Sequence, residues 1–205
     1  MTTATIEKRK ITAEDYLKME REGLRERIGK HEFFNHQLIF MPGASNNHNL
    51  ITSNVGFLLN LQVRQNRTKH LVYAQDMRTV SHIPHKSYFY PDVEMVEGRA
   101  TFDDEHQDIL VNPCLIIEVL SDSTEKFDRS DKFKSYRNIS TFTEYILISQ
   151  DYKNIEQFYK NDNGKWEIGE VVSEGILKLK TVPFELNIEE VYLNVEFSTP
   201  SVITP

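Results

Sequence analysis

Two acids interrupt apolar runs in this chain, and their setting points to chemistry. Glu118 lies in CLIIEVL among Ile116, Ile117, Val119 and Leu120, a run apolar enough for an inner strand covered on both faces. An unpaired carboxylate buried there costs several kcal/mol, so it calls for a cation, a donor or a raised pKa. Asp92 opens a second such run, PDVEMV, behind Pro91. Strand alternation puts Asp92 and Glu94 on one face and Val93 and Met95 on the other. If the two strands are neighbours, Asp92 and Glu118 converge on one hard cation. Mg²⁺ is typically held by one or two carboxylates, which leaves positions for water and phosphate. For each acid the alternative is an edge position, a salt bridge or a cap. Glu94 either strengthens such a site or faces solvent.

The elements that must position these acids are legible from pattern. Thr12 followed by Asp15 resembles a capping box and Gly23 a stop, so residues 12–22 read as a short helix. EFFNHQLIFMPG reads as a hairpin. From Asn46 to Arg64, Ile51, Val55, Leu58 and Leu59 recur at helical spacing, and the strand-like HLVYAQD follows. SYFYPDVEMV, PCLIIEVL and TEYILIS are β-rich, with FDRSDKFKSYRN as a helix before the last and Asp128 as its cap. NIEQFYK, NDNG and KWEIGEVV form a closing hairpin, after which the chain reads as irregular. The expectation is one α/β domain over residues 1–205, with a core at about 12–192, a mixed sheet and a loose tail at 193–205. The acidic segment 97–112 reads as a surface loop.

Composition narrows the function classes. The chain has 205 residues, 39% of them hydrophobic and 27% charged, which suits a folded domain with a real core. A single Cys114 allows no internal disulfide and no Cys-based zinc site, and fits a reducing compartment. The N-terminal MTTATIEKRK lacks the apolar run of a signal peptide, and no stretch suits a membrane span, so a cytoplasmic protein is expected. Net charge is −7, on its face a poor match to DNA. Residues 97–108 carry −4 and residues 144–205 carry −6, however, which leaves the remainder at +3. Basic groups gather at Lys8 to Lys10, at Arg21, Arg25, Arg27 and Lys30, and at Arg64, Arg67 and Lys69. A phosphate-binding face is one reading of them, ordinary solvated charge the other. There is no Gly-rich phosphate loop, GxSxG elbow or HExxH motif.

PDVEMV followed by PCLIIEVLSDSTEKFDRSDKFKSYRN resembles the PD-(D/E)XK nuclease superfamily and, within it, the Uma-two family of restriction-endonuclease-like proteins. Pro91, Asp92, Glu118, Val119, Leu120, Ser121, Ser123, Thr124, Asp128, Arg129, Lys132 and Tyr136 stand at places that match the family pattern. Glu32, the Pro42 turn and His48 resemble its N-terminal half, so the likeness covers roughly residues 12–160. The superfamily carries a Lys two residues after the acid, where this chain has Leu120; the resemblance implies that the ammonium has moved to Lys132 in the next helix. Asp122 replaces a Pro of the pattern, and in Ser140 to Ile146 only Glu144 and Tyr145 match.

The resemblance implies a restriction-endonuclease-like mixed central sheet flanked by helices, with an added N-terminal hairpin and a C-terminal antiparallel hairpin. It further implies a metal-dependent endonuclease acting on DNA. Mg²⁺, or Mn²⁺ in its place, would sit on Asp92, Glu118 and the Val119 carbonyl. Lys132 would orient or help deprotonate water and neutralise charge on phosphorus. Glu32 would point into the site, its alternative being an ordinary strand-end acid. His48, with Arg64, Arg67 and Lys69, would meet the DNA; capping or packing is the plainer role for His48. Duplex cleavage suggests a homodimer. The competing reading is a catalytically inactive module that keeps the fold and binds nucleic acid or protein.

Overall fold

The computed structural model of the chain describes residues 10–22 and 29–197. Gly23, Lys8, Arg9, Arg25 and Arg27 lie outside the described residues, as does the tail beyond Phe197. Helix α1 (Ala13–Arg21) starts at Thr12, whose hydroxyl accepts from the Asp15 N–H while the Asp15 carboxylate accepts from the Thr12 N–H. Its one fully buried side chain, Tyr16, stacks on Phe33 and Tyr88 at 5.3 Å and so docks the helix on a sheet.

That sheet has five strands in the order β2-β1-β5-β4-β7: β1 (His31–Phe34), β2 (Gln37–Phe40), β4 (Arg78–Ser81), β5 (Ser87–Phe89) and β7 (Ile109–Leu110). Asn35 and His36 join β1 to β2 with φ of 49° and 64°, the paired left-handed conformation that a two-residue hairpin needs to match strand twist. The N-terminal hairpin is therefore not an appendage, because β1 also pairs with β5.

The second sheet has six strands in the order β11-β10-β9-β8-β6-β3: β3 (His70–Ala74), β6 (Val93–Glu97), β8 (Leu115–Leu120), β9 (Glu144–Ser149), β10 (Ile155–Lys160) and β11 (Trp166–Val172). It is mixed, β8 and β9 being parallel and the other pairs antiparallel. Helix α2 (Asn46–Asn66) lies on one face, where Ile51, Val55 and Leu59 meet Val93, Met95, Ile117 and Val119. On the other face Ile116, Leu120 and Leu147 meet Phe89, Tyr136, Phe142 and Tyr145. Each buried aliphatic side chain contributes roughly 1.5–3 kcal/mol. Packing on both faces thus fixes β8 at the centre and carries Glu118 inside with it.

The sequence reading differs from the structure in four places. SYFYPDVEMV is not one run: Tyr90 and Pro91 carry the chain from β5 in one sheet to β6 in the other, and Pro has no N–H to continue a ladder. The segment 97–112 is no simple loop, since it holds the fully buried strand β7 and is tied down by Arg21, which reaches Asp104 at 2.8 Å and Asp108 at 2.6 Å. After β11 the chain is ordered: β12 (Ile176–Lys178) pairs with β13 (Glu185–Asn187), and α5 (Ile188–Val191) follows. Residues 193–197 belong to this packed end, where the Phe197 ring meets Tyr192 at 5.6 Å. Finally, Asp128 does not begin a helix, as described next. No helix among the described residues is long and apolar enough to cross a membrane.

Candidate active site

Antiparallel pairing of Val93 with Ile117 sets Asp92 opposite Glu118, one residue beyond the β6 ladder. There a side chain takes over from the backbone: the Val119 N–H donates to Asp92 Oδ2 at 2.8 Å. The same oxygen lies 3.2 Å from His48 Nε2. His48 is delivered by the first turn of α2, where Ser45 Oγ accepts its N–H at 3.1 Å. Burial alone would lower the His48 pKa, but the hydrogen bond and charge of Asp92 outweigh it and raise it.

Glu118 is 2% exposed. Its Oε1 accepts from the Tyr136 hydroxyl at 3.0 Å and stands 3.0 Å from Lys132 Nζ. Lys132 Nζ is also 2.9 Å from Glu32 Oε1 and 3.3 Å from Asp128 Oδ1, so three carboxylates surround one ammonium that is 4% exposed. Glu32 comes from β1, and its Oε1 also accepts the Tyr90 N–H at 3.0 Å. Burial raises the Glu118 pKa well above the carboxylate range; Lys132 opposes this, while Asp128, Asp92 and Glu32 reinforce it. Burial would lower the Lys132 pKa, but Glu118, Glu32 and Asp128 raise it well above its usual value and keep the ammonium charged.

The local backbone explains how Lys132 gets there. Glu125–Phe127 (α3) leads into a π-helical turn, Asp128–Lys132, and then into Phe133–Tyr136 (α4). Asp128 is thus internal to a helical segment that starts at Glu125, and its buried carboxylate faces Lys132 instead of capping N–H groups. The Tyr145 hydroxyl donates to the Asp128 carbonyl at 3.1 Å inside this turn, a position where wide turns commonly form at functional sites.

These groups line one cavity of about 1000 Å³, bounded by the end of β2, the start of α2 and the loop Ser121–Thr124. Asp92, Glu118, Lys132, Glu32, Val119 and His48 all meet there. Arg64, Arg67 and Lys69 do not: they are exposed at or beyond the far end of α2, with Arg64 about 24 Å from His48 at 1.5 Å per residue. Glu94 shares the face of Asp92 as alternation requires, but does not line the cavity. It is buried and accepts from the Thr79 hydroxyl of β4; burial pushes its pKa up to about 8, with Thr79 opposing. Sequence reasoning missed two contributors, the Asp128 carboxylate and the Tyr136 hydroxyl. Both stand in the family pattern, and the i, i+4 spacing of Asp128 and Lys132 was the available signal.

The donor set suits a hard cation. Four carboxylates, Glu32, Asp92, Glu118 and Asp128, face one Lys and one His, and the excess is negative. Among the described residues, no group of three or more His, Cys, Asp and Glu side chains is arranged to hold a metal. A cation here would rest on two carboxylates with carbonyl and water oxygens, the usual manner of Mg²⁺.

Comparisons with known proteins agree with this fold. The uncharacterized protein sll1609 of Synechocystis sp. is 36% identical over 164 residues, covering 80% of this chain and 89% of that one. A second Synechocystis protein, the uncharacterized slr1290, is 30% identical over 194 residues, 92% of this chain and 94% of its own. The crystal structure of a "putative nuclease belonging to DUF820" from Anabaena variabilis superposes with a TM-score of 0.69 at 18% identity, over 89% of this chain and 97% of that one. With the Uma2 family model, described as "Putative restriction endonuclease", matching residues 13–196, the chain belongs to that family.

Proposed function

We propose that this chain is a divalent-metal-dependent endonuclease that hydrolyses phosphodiester bonds in DNA, with Mg²⁺ as its cation and Mn²⁺ as a substitute. The carrying observation is Lys132, whose ammonium lies 3.0 Å from Glu118 although it arises from the following helical segment, not from the strand. It supplies the positive charge that Leu120 cannot. Asp92, Glu118 and the Val119 carbonyl would hold the cation. When bound, it supplies Lewis-acid polarisation of a phosphoryl oxygen. The Tyr136 hydroxyl fixes one oxygen of Glu118, and the Val119 N–H with His48 fixes one oxygen of Asp92. Lys132, held charged, offsets through its field the charge growing on the phosphoryl group, an effect that is strong in a buried site. Glu32, the partner of Lys132 at 2.9 Å in the same cavity, would accept the proton of the attacking water. Cutting both strands of a duplex in one event would take two such sites, hence two copies of the chain.

The closed ring of carboxylates around Lys132 favours a second reading, a module of the same fold that binds nucleic acid or protein without cutting. Supercoiled plasmid incubated with Mg²⁺ or Mn²⁺ decides between them. An endonuclease converts it to nicked circles, stops in EDTA, and loses at least about 10²-fold in rate on Glu118→Gln. DNA retained in EDTA and left intact under both metals establishes the module instead. Nicking by Glu118→Gln at the parental rate removes Glu118 from the site.

A further inference from the structure

The rim of the cavity carries an aromatic face for which phosphodiester chemistry has no use. Phe40 ends β2, lines the cavity and is 59% exposed. One side of its ring is fixed. The His31 ring meets it at 5.5 Å and 60°, and Gly29 passes so close that a Cβ there would sit 2.8 Å from Phe40 Cε2. Gly29 also has φ of +84°, which side chains rarely adopt, so the backbone favours glycine there and lets the ring lie against it. The rest of the ring is open to solvent at the cavity mouth.

Charge in the cavity asks for such a surface. Glu32, Asp76, Asp92, Glu118, Asp122 and Asp128 line it, while Lys30, His48 and Lys132 are the basic side chains among its described residues. Affinity gained by pairing Lys or Arg with phosphates is therefore small here. Stacking of a base on an aromatic ring does not depend on net charge and tolerates any sequence. In a duplex the faces of each base are covered by its neighbours; an unpaired base has a face to offer. We infer that the cavity takes single-stranded DNA, or an unpaired stretch within a duplex, with one base stacked on Phe40 near the scissile phosphate. This rests on the nuclease reading above and adds its substrate class.

Fluorescence anisotropy tests it, using a labelled single-stranded oligodeoxynucleotide and the blunt duplex of the same sequence, with Ca²⁺ in place of Mg²⁺ to suppress turnover. The single strand is expected to bind about 10-fold or more tighter than the duplex, and Phe40→Ala to cost about 10-fold on the single strand with little change on the duplex. Phe40→Trp should keep the affinity and Phe40→Leu lose it, which separates stacking from mere apolar contact. One abasic nucleotide, walked along the strand, should at one position bring the parental protein down to the level of Phe40→Ala. Because the ring is exposed, melting temperatures should agree among these variants. Equal binding of both probes, untouched by Phe40→Ala, overturns the stacking site while leaving the nuclease reading in place. Binding of neither, with no plasmid nicking, removes that reading and this inference with it.

Discussion

An ammonium alone in a protein interior costs several kcal/mol, and Lys132 tolerates its burial because Glu32, Glu118 and Asp128 stand within 3.3 Å. Its removal therefore has two separable effects. Lys132→Met should slow plasmid nicking by about 10²-fold or more, because charge on phosphorus is no longer offset. Mn²⁺ affinity, read by calorimetry, should hold or rise once a competing cation is gone. Stability without metal should fall by about 3–5 kcal/mol in a denaturant melt, since three buried carboxylates lose their partner. Parental nicking by this variant would reduce Lys132 to a structural ion. At this scale the sequence exposed what breaks a pattern: Glu118 and Asp92 stand out as acids in apolar runs. Glu94 breaks a pattern equally well, yet its partner is Thr79 on another sheet, and no local spacing reveals which strand will cover a face.

Helices and hairpins with strong periodicity were readable because each rests on contacts within a few residues. The capping box of α1, the 21-residue α2 and the β10–β11 hairpin are examples. The short strands β12 and β13 were not, for three residues apiece carry too little alternation, and their order depends on distant groups. Glu144 of β9, for instance, accepts from the backbone N–H of Lys180 at 2.9 Å and of Thr181 at 2.9 Å, which pins the link between them. The π-helical turn escaped for a related reason: hydrophobic spacing reports a helix but not the width of one turn. That width can be tested. Deleting Ser130 should close the wide turn to an ordinary α-turn and leave Asp128 and Lys132 three residues apart instead of four, which breaks their pairing. Circular dichroism should show the helical content retained while nicking drops at least about 10²-fold. A deletion protein that nicks at the parental rate would make the wide turn incidental.

Over the whole molecule, the candidate site draws on both large sheets. Glu32 arrives on the five-stranded sheet, Glu118 on the six-stranded one, and Asp92 on the segment that passes between them. Glu32 and Glu118 lie 86 residues apart in sequence, so only the fold brings them together. The basic residues Arg64, Arg67 and Lys69 show the converse, a cluster plain in the sequence whose distance from the site depends on the length of α2. Because Lys132 bonds to Glu32 on one sheet and Glu118 on the other, it bolts the two layers together beside the packed rings of Phe34, Phe89 and Phe127. The group proposed to serve the chemistry should thus also govern local breathing. Amide hydrogen exchange in Lys132→Met should quicken in β1 and at Tyr90, whose N–H is tied to Glu32, by about 10-fold or more, while the β8–β9 amides stay protected. Exchange rising uniformly across both sheets would instead mean that the bolt is spread over many contacts. A localised rise would mean that this chain cannot shed the charge of Lys132 without loosening the joint that shapes its cavity.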